Sequence, residues 1–419
     1  MKKRIILWAA MLLGTAMLVQ GCSVKENVSF FSQEEESQNE TGQNDIKQSE
    51  TKQYMPESHA QSSDVQEEKP KNNEQKKPKL KKVSDIYYAY HTLEPNEQQI
   101  YQEVLDSLTD LKADTQVSTL DKNALDRIFA CVMNDHPELF YVEGYRYTEY
   151  TYGDSITRLT FSGTFSMSDV EVDYNKLLIE QKIKDCFLHV PLNEDEYSTV
   201  KYLYEWLINN TEYDKNVQDN QNICSVFIQG RSVCQGYAKA MQYMLQRADI
   251  PCLLLTGFTN GERHAWNLVR VDGDYYYLDP TWGDASYAYN GAATAQEGFA
   301  PAINYDYFLV TEDEMTRTHS FEKVVDLPKC TATEDNYFVR EGLLFKDYDE
   351  QQLAQIFGSE EAKAKNYVTI KCAGMESYEQ MLSTLIDDQK IFDFIDRQGA
   401  SISYTANEEQ RIISFWNIY

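Results

Sequence analysis

Two stretches of sequence decide the fold: SVCQGYAKAM at residues 232–241 and RHAWNLVRVDGDYYYLDPTWGD at residues 263–284. After Cys234, apolar residues recur three or four positions apart, which predicts an amphipathic helix from close to Cys234 to about Asp249. The second stretch predicts two strands joined by Asp272-Gly273, the strongest short signal for a hairpin turn. A helix followed by antiparallel strands is typical of an α+β fold.

The register of this hairpin predicts that a histidine and an aspartate lie close together. With Asp272-Gly273 as a two-residue turn, His264 faces Thr281 and Trp266 faces Asp279. Side chains alternate along a strand, so Asp279 shares a sheet face with His264, one diagonal step away. Diagonal Cα atoms lie about 7–8 Å apart, a gap that an imidazole and a carboxylate can bridge.

Cys234 is the candidate nucleophile for this pair. The positive end of the helix dipole favours the thiolate, which is the attacking form of a cysteine. A thiol, an imidazole and an orienting carboxylate form the set that nucleophilic catalysis needs. Helix placement alone is weak evidence, because many cysteines near helix starts only pack.

The motifs in these stretches resemble the transglutaminase-like superfamily, in which a Cys precedes a Gly-Tyr-Ala helix, a His precedes Ala-Trp and an Asp precedes Thr-Trp. The resemblance implies a papain-like α+β core over residues 195–325, with an antiparallel sheet packed on the nucleophile helix. It also implies that Cys234 is the nucleophile, His264 the base and acid, and Asp279 the residue that orients the imidazole.

Other side chains are weaker site candidates. Tyr213 and Gln235 are candidate donors to an oxyanion, and Trp266 and Trp282 are candidate walls of the site, although all four can equally be structural. We interpret His136, in HPELFYV, and His319, downstream of NYDYFLVTEDEM, as structural.

The N-terminus predicts an exported lipoprotein. Residues 1–22 combine a basic start with a short apolar run that ends in LVQGC, which resembles the bacterial lipobox and makes Cys22 the lipidation site. Residues 23–83 are polar and predict a disordered tether. We therefore expect a lipid-anchored protein on the extracytoplasmic face of the membrane. The lysines of residues 69–82 could touch cell-wall polymer, or could simply end a solvated linker.

Composition excludes several classes of function. The chain has 39 basic and 67 acidic side chains, for a net charge of −28, which argues against a basic nucleic-acid-binding face. No Cys-x-x-Cys pair, zinc-type spacing or calcium loop is present, so we expect no metal and no cofactor. With Cys22 lipidated, an odd number of the eight cysteines remains, which suggests one free working thiol.

Two further regions flank the predicted core. Residues 84–194 predict two amphipathic helices, then β structure from HPELFYV to TFS, then a helix at 167–187. Residues 331–419 predict a small α+β unit, with strands in NYFVREGLLF and NYVTIKC, a helix in SYEQMLSTLIDDQKIFDFI and a terminal strand pair.

The expected function is cysteine-dependent acyl transfer on protein or peptide amides through a thioester. Hydrolysis and cross-linking share the steps up to that thioester, and bacterial relatives of the superfamily include proteases, which favours hydrolysis. The alternative is a non-catalytic surface binding module that keeps the fold.

Overall fold

The computed structural model describes residues 85–152, 155–191, 194–284, 303–395 and 402–419. The predicted signal peptide with Cys22, at residues 1–22, and the predicted tether at residues 23–83 lie outside these ranges. Among the described helices, none combines the length and the apolar character that a membrane span requires. The chain divides into two compact units, one ending at Val172 and one covering Asp173–Tyr419.

The first unit combines short helices with a three-stranded sheet. Its elements are α1 (Tyr88–Thr92), α2 (Pro95–Thr109), β1 (Thr115–Val117), α3 (Lys122–Asp135), β2 (Val142–Tyr152) and β3 (Ser155–Phe165). The strand order is β1-β3-β2. The two amphipathic helices are confirmed as α2 and α3. The prediction of β structure from residue 136 is wrong at its start, because Leu139 N donates to His136 O and turns the chain before β2.

The second unit contains the motif-bearing stretches. Helix α4 (Asp169–Phe187) leads into it. Its first part comprises α5 (Glu196–Asn209), β4 (Glu212–Tyr213), a π-helical turn (Ser225–Gln229), β5 (Arg231–Ser232), α6 (Cys234–Arg247), β6 (Cys252–Thr259), β7 (Glu262–Val271), β8 (Asp274–Leu278), α7 (Pro280–Gly283), α8 (Glu312–Met315) and β9 (His319–Glu322). An antiparallel four-stranded sheet has the order β8-β7-β6-β9.

Helix α6 packs on this sheet through small and apolar residues. Ala238 of α6 forms a buried cluster with Leu254 of β6 and Ala265 of β7. Asn267 Nδ2 of β7 also donates to Ala238 O at 2.9 Å. The predicted α+β class, with an antiparallel sheet packed on the helix that begins at Cys234, is confirmed.

The predicted hairpin register is confirmed within β7 and β8, but the strand pairing ends sooner than predicted. Pairing runs from Val271↔Asp274 to Asn267↔Leu278, as a two-residue turn requires. The extension to His264 opposite Thr281 is wrong, because β8 ends at Leu278 and Pro280 starts α7.

The C-terminal part of the second unit has its own sheet and apolar core. It comprises α9 (Tyr337–Arg340), β10 (Leu344–Phe345), α10 (Glu350–Phe357), α11 (Glu360–Lys365), β11 (Tyr367–Cys372), α12 (Met375–Leu382), a π-helical turn (Ser383–Asp387), a 3-10 turn (Lys390–Asp393), β12 (Ser403–Asn407) and β13 (Ile412–Trp416). The strand order is β10-β11-β13-β12, and the terminal strand pair is confirmed.

Two predictions in this part are corrected. The strand predicted in NYFVREGLLF is replaced by helix α9 over Tyr337–Arg340, because the Asn336 side chain accepts from Phe338 N and caps a helical turn. Only Leu344–Phe345 is strand. The helix predicted from Ser377 ends as regular α-helix at Leu382 and continues as a π-helical turn.

Candidate active site

Asp279 is the centre of a buried polar cluster. Its residue is fully buried, and its Oδ2 lies 2.7 Å from His264 Nε2. Its Oδ1 accepts from the backbone N–H groups of Thr281 at 2.9 Å and Trp282 at 3.2 Å, which caps α7. Pro280 follows Asp279 at the first helical position, where its missing N–H costs nothing. The local sequence therefore holds one carboxylate oxygen and leaves the other for the histidine.

The electrostatics of this pair favour a protonated imidazole. Burial by itself lowers the pKa of His264, but the charge and hydrogen bond of Asp279, with a smaller effect of Cys234, raise that pKa overall to about 10. Burial also opposes ionisation of Asp279, yet the charge and hydrogen bond of His264 hold the pKa of Asp279 below its ordinary value. The pair therefore holds its proton on His264 at neutral pH.

Cys234 lies at the N-terminus of α6 and makes a side-chain hydrogen bond with His264. Since His264 Nε2 is engaged by Asp279, the nitrogen available to the thiol is Nδ1. The start of α6 is anchored by Tyr237, whose hydroxyl shares its one proton between two acceptors, Thr211 O at 2.9 Å and Asp284 Oδ2 at 2.8 Å. The structure thus brings together all three residues of the predicted triad.

The four weaker candidates separate into different groups. Trp266 and Trp282 border the histidine, with ring centroids 5.9 and 6.0 Å from that of His264. Gln235 is buried, and among the described residues its Nε2 has no hydrogen-bond partner. Tyr213 packs against Tyr237, with ring centroids 6.3 Å apart.

His319 also joins the cluster, although the sequence suggested only a structural role. Its Nε2 lies 3.2 Å from Asp279 Oδ2, and its ring packs edge-on against Trp266 at 4.8 Å. The available signal was the alternation of His319 and Phe321 in a short strand-like run. Nothing in that run indicated which element the strand would pair with.

The three residues His264, Asp279 and His319 also have the spacing of a metal site, with ligand atoms within 4.8 Å of one another. A metal would require both histidines to offer lone pairs. In this arrangement Asp279 Oδ2 accepts from both rings, so the three side chains satisfy one another's hydrogen bonding.

The remaining described thiols are unsuited to nucleophilic attack. All seven cysteines in the described ranges are free and buried. Burial raises the pKa to about 12 for five of them, Cys131, Cys186, Cys224, Cys330 and Cys372. Burial also raises the pKa of Cys252. Of these thiols, Cys234 is the one that contacts an imidazole.

Comparison with protein families agrees with the resemblance seen in the sequence. Residues 190–280 match the family model of the transglutaminase-like superfamily. The predicted resemblance is therefore confirmed for the part of the chain that carries Cys234, His264 and Asp279.

Curated relatives match over short segments. Kyphoscoliosis peptidase of Mus musculus is 26% identical over 127 residues, which cover 26% of this chain and 18% of the mouse protein. The Homo sapiens protein of the same name is 26% identical over 101 residues, covering 20% of this chain and 15% of the human protein. The chain thus spans less than a fifth of the length of these relatives.

Solved structures match parts of this chain at low identity. The crystal structure of a TGase matches over 32% of this chain and 44% of the TGase chain, with 16% identity and a TM-score of 0.24. The periplasmic domain of TgpA from Pseudomonas aeruginosa matches over 33% of this chain and 65% of the TgpA chain, with 15% identity and a TM-score of 0.20.

Proposed function

We propose that this protein is an extracytoplasmic, cysteine-dependent acyl-transfer enzyme that acts on protein or peptide amides. The observation that carries the proposal is the placement of His264 between two partners, with Nε2 on Asp279 and Nδ1 free for Cys234. The transglutaminase-like family match over residues 190–280 supports the same chemistry. The predicted lipid anchor at Cys22 would keep the enzyme at the outer face of the membrane.

The acylation step follows from this geometry. The Cys234 thiolate attacks the amide carbon, and the carbonyl oxygen becomes an oxyanion. The imidazolium of His264 then donates its Nδ1 proton to the amide nitrogen, the C–N bond breaks, and the amine or ammonia leaves. The acyl group remains on Cys234 as a thioester. Asp279 stays ionised and keeps the imidazole oriented throughout.

The oxyanion needs donors close to the sulfur. The backbone N–H of Cys234, at the first position of α6, faces outward from the helix start, where no intrahelical acceptor exists. The buried and unpartnered Nε2 of Gln235 is a second available donor. Together these groups fit the role of an oxyanion site.

The fate of the thioester decides the reaction type. In hydrolysis, His264 takes a proton from water, which attacks the acyl carbon and releases a carboxylic acid and the free thiol. In cross-linking, a lysine amine attacks instead and forms an isopeptide bond. We favour hydrolysis, in keeping with the peptidase name of the curated relatives.

A mass-spectrometric assay separates these outcomes. The purified protein is incubated with a peptide that contains glutamine and with a primary-amine donor. Cleaved peptide, or glutamine converted to glutamate, supports hydrolysis, whereas incorporated amine supports cross-linking. Cys234→Ala is expected to lose either product by about 10⁵-fold or more, since the nucleophile is gone.

The same variant tests whether the site is catalytic at all. If a thiol-directed probe labels the wild type and Cys234→Ala equally, Cys234 is not an activated nucleophile. The non-catalytic surface binding module would then be the better description of this protein.

A further inference from the structure

A second histidine helps to hold the carboxylate that orients His264. His319 is 3% exposed, and its Nε2 lies 3.2 Å from Asp279 Oδ2, the oxygen that also meets His264 Nε2. The backbone N–H groups of Thr281 and Trp282 occupy Oδ1. Four donors therefore surround one carboxylate, and His319 supplies one of the two on the catalytic side.

The protonation state of His319 follows from its neighbours. Burial lowers the pKa of His319, although Asp279 works against this, so the imidazole is neutral and has a single N–H. Ionised Asp279 can only accept, which puts that hydrogen on Nε2. His319 Nδ1 lies 2.8 Å from Thr318 Oγ1, whose hydroxyl donates to Tyr307 Oη at 3.1 Å.

The titratable groups that face the cluster come from every element packed against it. They are Cys234 of α6, His264 of β7, Asp279 after β8, His319 of β9, Tyr307 before α8 and Tyr204 of α5. Burial raises the pKa of both tyrosines, and Asp279 raises each further, so they stay neutral. The ionised groups of the cluster are thus the His264 imidazole and the Asp279 carboxylate.

Strand β9 can pack closely on β6 because Gly257 of β6 has no side chain. Gly257 of β6 pairs with His264 on one side and with Phe321 on the other. A Cβ atom at Gly257 would lie 1.9 Å from the Ser320 carbonyl oxygen of β9. Glycine therefore permits the close approach that brings His319 within reach of the carboxylate.

The C-terminal part of the unit braces the segment that precedes β9. Gln410 Nε2 donates to Glu314 O at 2.9 Å, and the Gln410 side chain also bonds to Tyr307. Asn407 Nδ2 donates to Asp306 Oδ2 at 2.7 Å. These contacts come from the end of β12 and the turn that follows it, so that turn supports α8 and the chain that precedes it.

We propose that His319 is a positioning residue, whose neutral Nε2–H keeps Asp279 aimed at His264, and that the β12–β13 turn steadies the segment leading to it. The inference rests on the proposed function, because it gives His319 a part in the same catalytic unit. His319 acts through Asp279 and does not touch substrate.

The consequence is a measurable shift in proton affinity. Asp279 raises the pKa of His264 above the ordinary value of 6.5, to about 10, so the imidazolium is present below that pH and is lost above it. Without the His319 donor, Asp279 Oδ2 is held on its side of the carboxylate by His264 alone, so the Asp279–His264 hydrogen bond is less well aligned and supports the imidazolium less. The pKa of His264 should then fall by about one unit, as expected for one hydrogen bond to a charged group.

The test compares two alkylating reagents on the purified full-length protein. Anionic iodoacetate is attracted by the imidazolium and neutral iodoacetamide is not, so the ratio of their rates reports the charge on His264. The ratio is measured between about pH 6 and about pH 11, with Cys234→Ala as the background. The wild-type ratio should fall with a midpoint near pH 10, where His264 loses its proton.

Three variants decide the inference. His319→Phe keeps a ring without a donor and should lower the midpoint by about one pH unit. His319→Gln restores an N–H near the same place and should return most of the shift. Thr318→Val removes the hydroxyl that lies beside His319 Nδ1 and should shift the midpoint in the same direction by less. Thermal unfolding of each variant shows whether it is folded.

The contrary results are distinct. A folded His319→Phe with an unchanged or raised midpoint overturns the positioning role. If that variant does not fold, an unchanged midpoint in Thr318→Val overturns it instead. If the wild type itself shows no pH-dependent ratio above the Cys234→Ala background, the proposed function fails, and this inference fails with it.

Discussion

Two regions, one a local hairpin and one a long-range strand pairing, each bring a histidine to the Asp279 carboxylate. In the β7–β8 hairpin, a two-residue turn sets the pairing up to Asn267↔Leu278, and Asp279 follows directly, 15 residues from His264. In the segment that ends in β9, His319 is 40 residues from Asp279 and reaches it by pairing with β6. A local turn can thus bring two members of a buried cluster near each other, whereas a long-range strand pairing brings the third.

The largest expected effect comes from the residue that both regions share. Asp279→Asn keeps the shape of the side chain, but an amide cannot accept from both histidines and stay aligned with the helix cap. We expect peptide turnover to fall about 10³- to 10⁴-fold, as when an orienting carboxylate is neutralised in other triads. Steady-state kinetics of the purified variant measure the loss.

Asp335→Asn is the matched control, because Asp335 is also buried and interacts with Tyr276 and Arg340 away from the triad. Because Asp335 lies away from the triad, the turnover of this variant should stay within about a few-fold of the wild-type value. Equal losses in both variants would mean that Asp279 acts only through stability.

A smaller effect should follow from loosening only the long-range region. In Gly257→Ala, the new Cβ meets the Ser320 carbonyl oxygen and the Trp266 ring, so β9 must shift while the β7–β8 turn remains. We expect a loss of about 1–3 kcal/mol in the free energy of unfolding, typical of overpacking. The iodoacetate-to-iodoacetamide midpoint should also move to lower pH.

Urea unfolding and the alkylation ratio measure these two changes. Gly374→Ala is the control, since an added Cβ there comes no closer than 3.9 Å to the Ser377 hydroxyl. Unchanged stability and midpoint in Gly257→Ala would show that β9 tolerates displacement, contrary to the close approach described above.

The smallest effect is expected from the brace in the C-terminal part. Gln410→Leu removes the hydrogen bonds to Glu314 O and Tyr307, and should shift the midpoint in the same direction as His319→Phe by a fraction of that shift. Gln352→Leu is the control, because Gln352 Nε2 bonds to Gly342 O within the same C-terminal part. Equal alkylation profiles for Gln410→Leu and Gln352→Leu would show that the brace has no effect on the active site.

Local signals in the sequence predicted most of the catalytic geometry. The Asp272-Gly273 turn determined which residues of β7 and β8 pair, because a two-residue loop leaves a single register. Apolar spacing and Pro251 determined where α6 begins and ends, to within two residues. Where local signals compete, as in NYFVREGLLF, the Asn336 cap overrode the strand preference of the aromatic residues.

By itself, then, the sequence determined the α+β class, the helix that begins at Cys234 and the proximity of His264 to Asp279. Only the tertiary structure decided that the Cys234 thiol meets His264, that Asp279 caps α7, and that His319 shares its carboxylate. The physical reason is sequence distance. Turns and helices record their geometry in adjacent residues, whereas the pairing of β9 with β6 depends on a glycine and a carbonyl more than 60 residues apart.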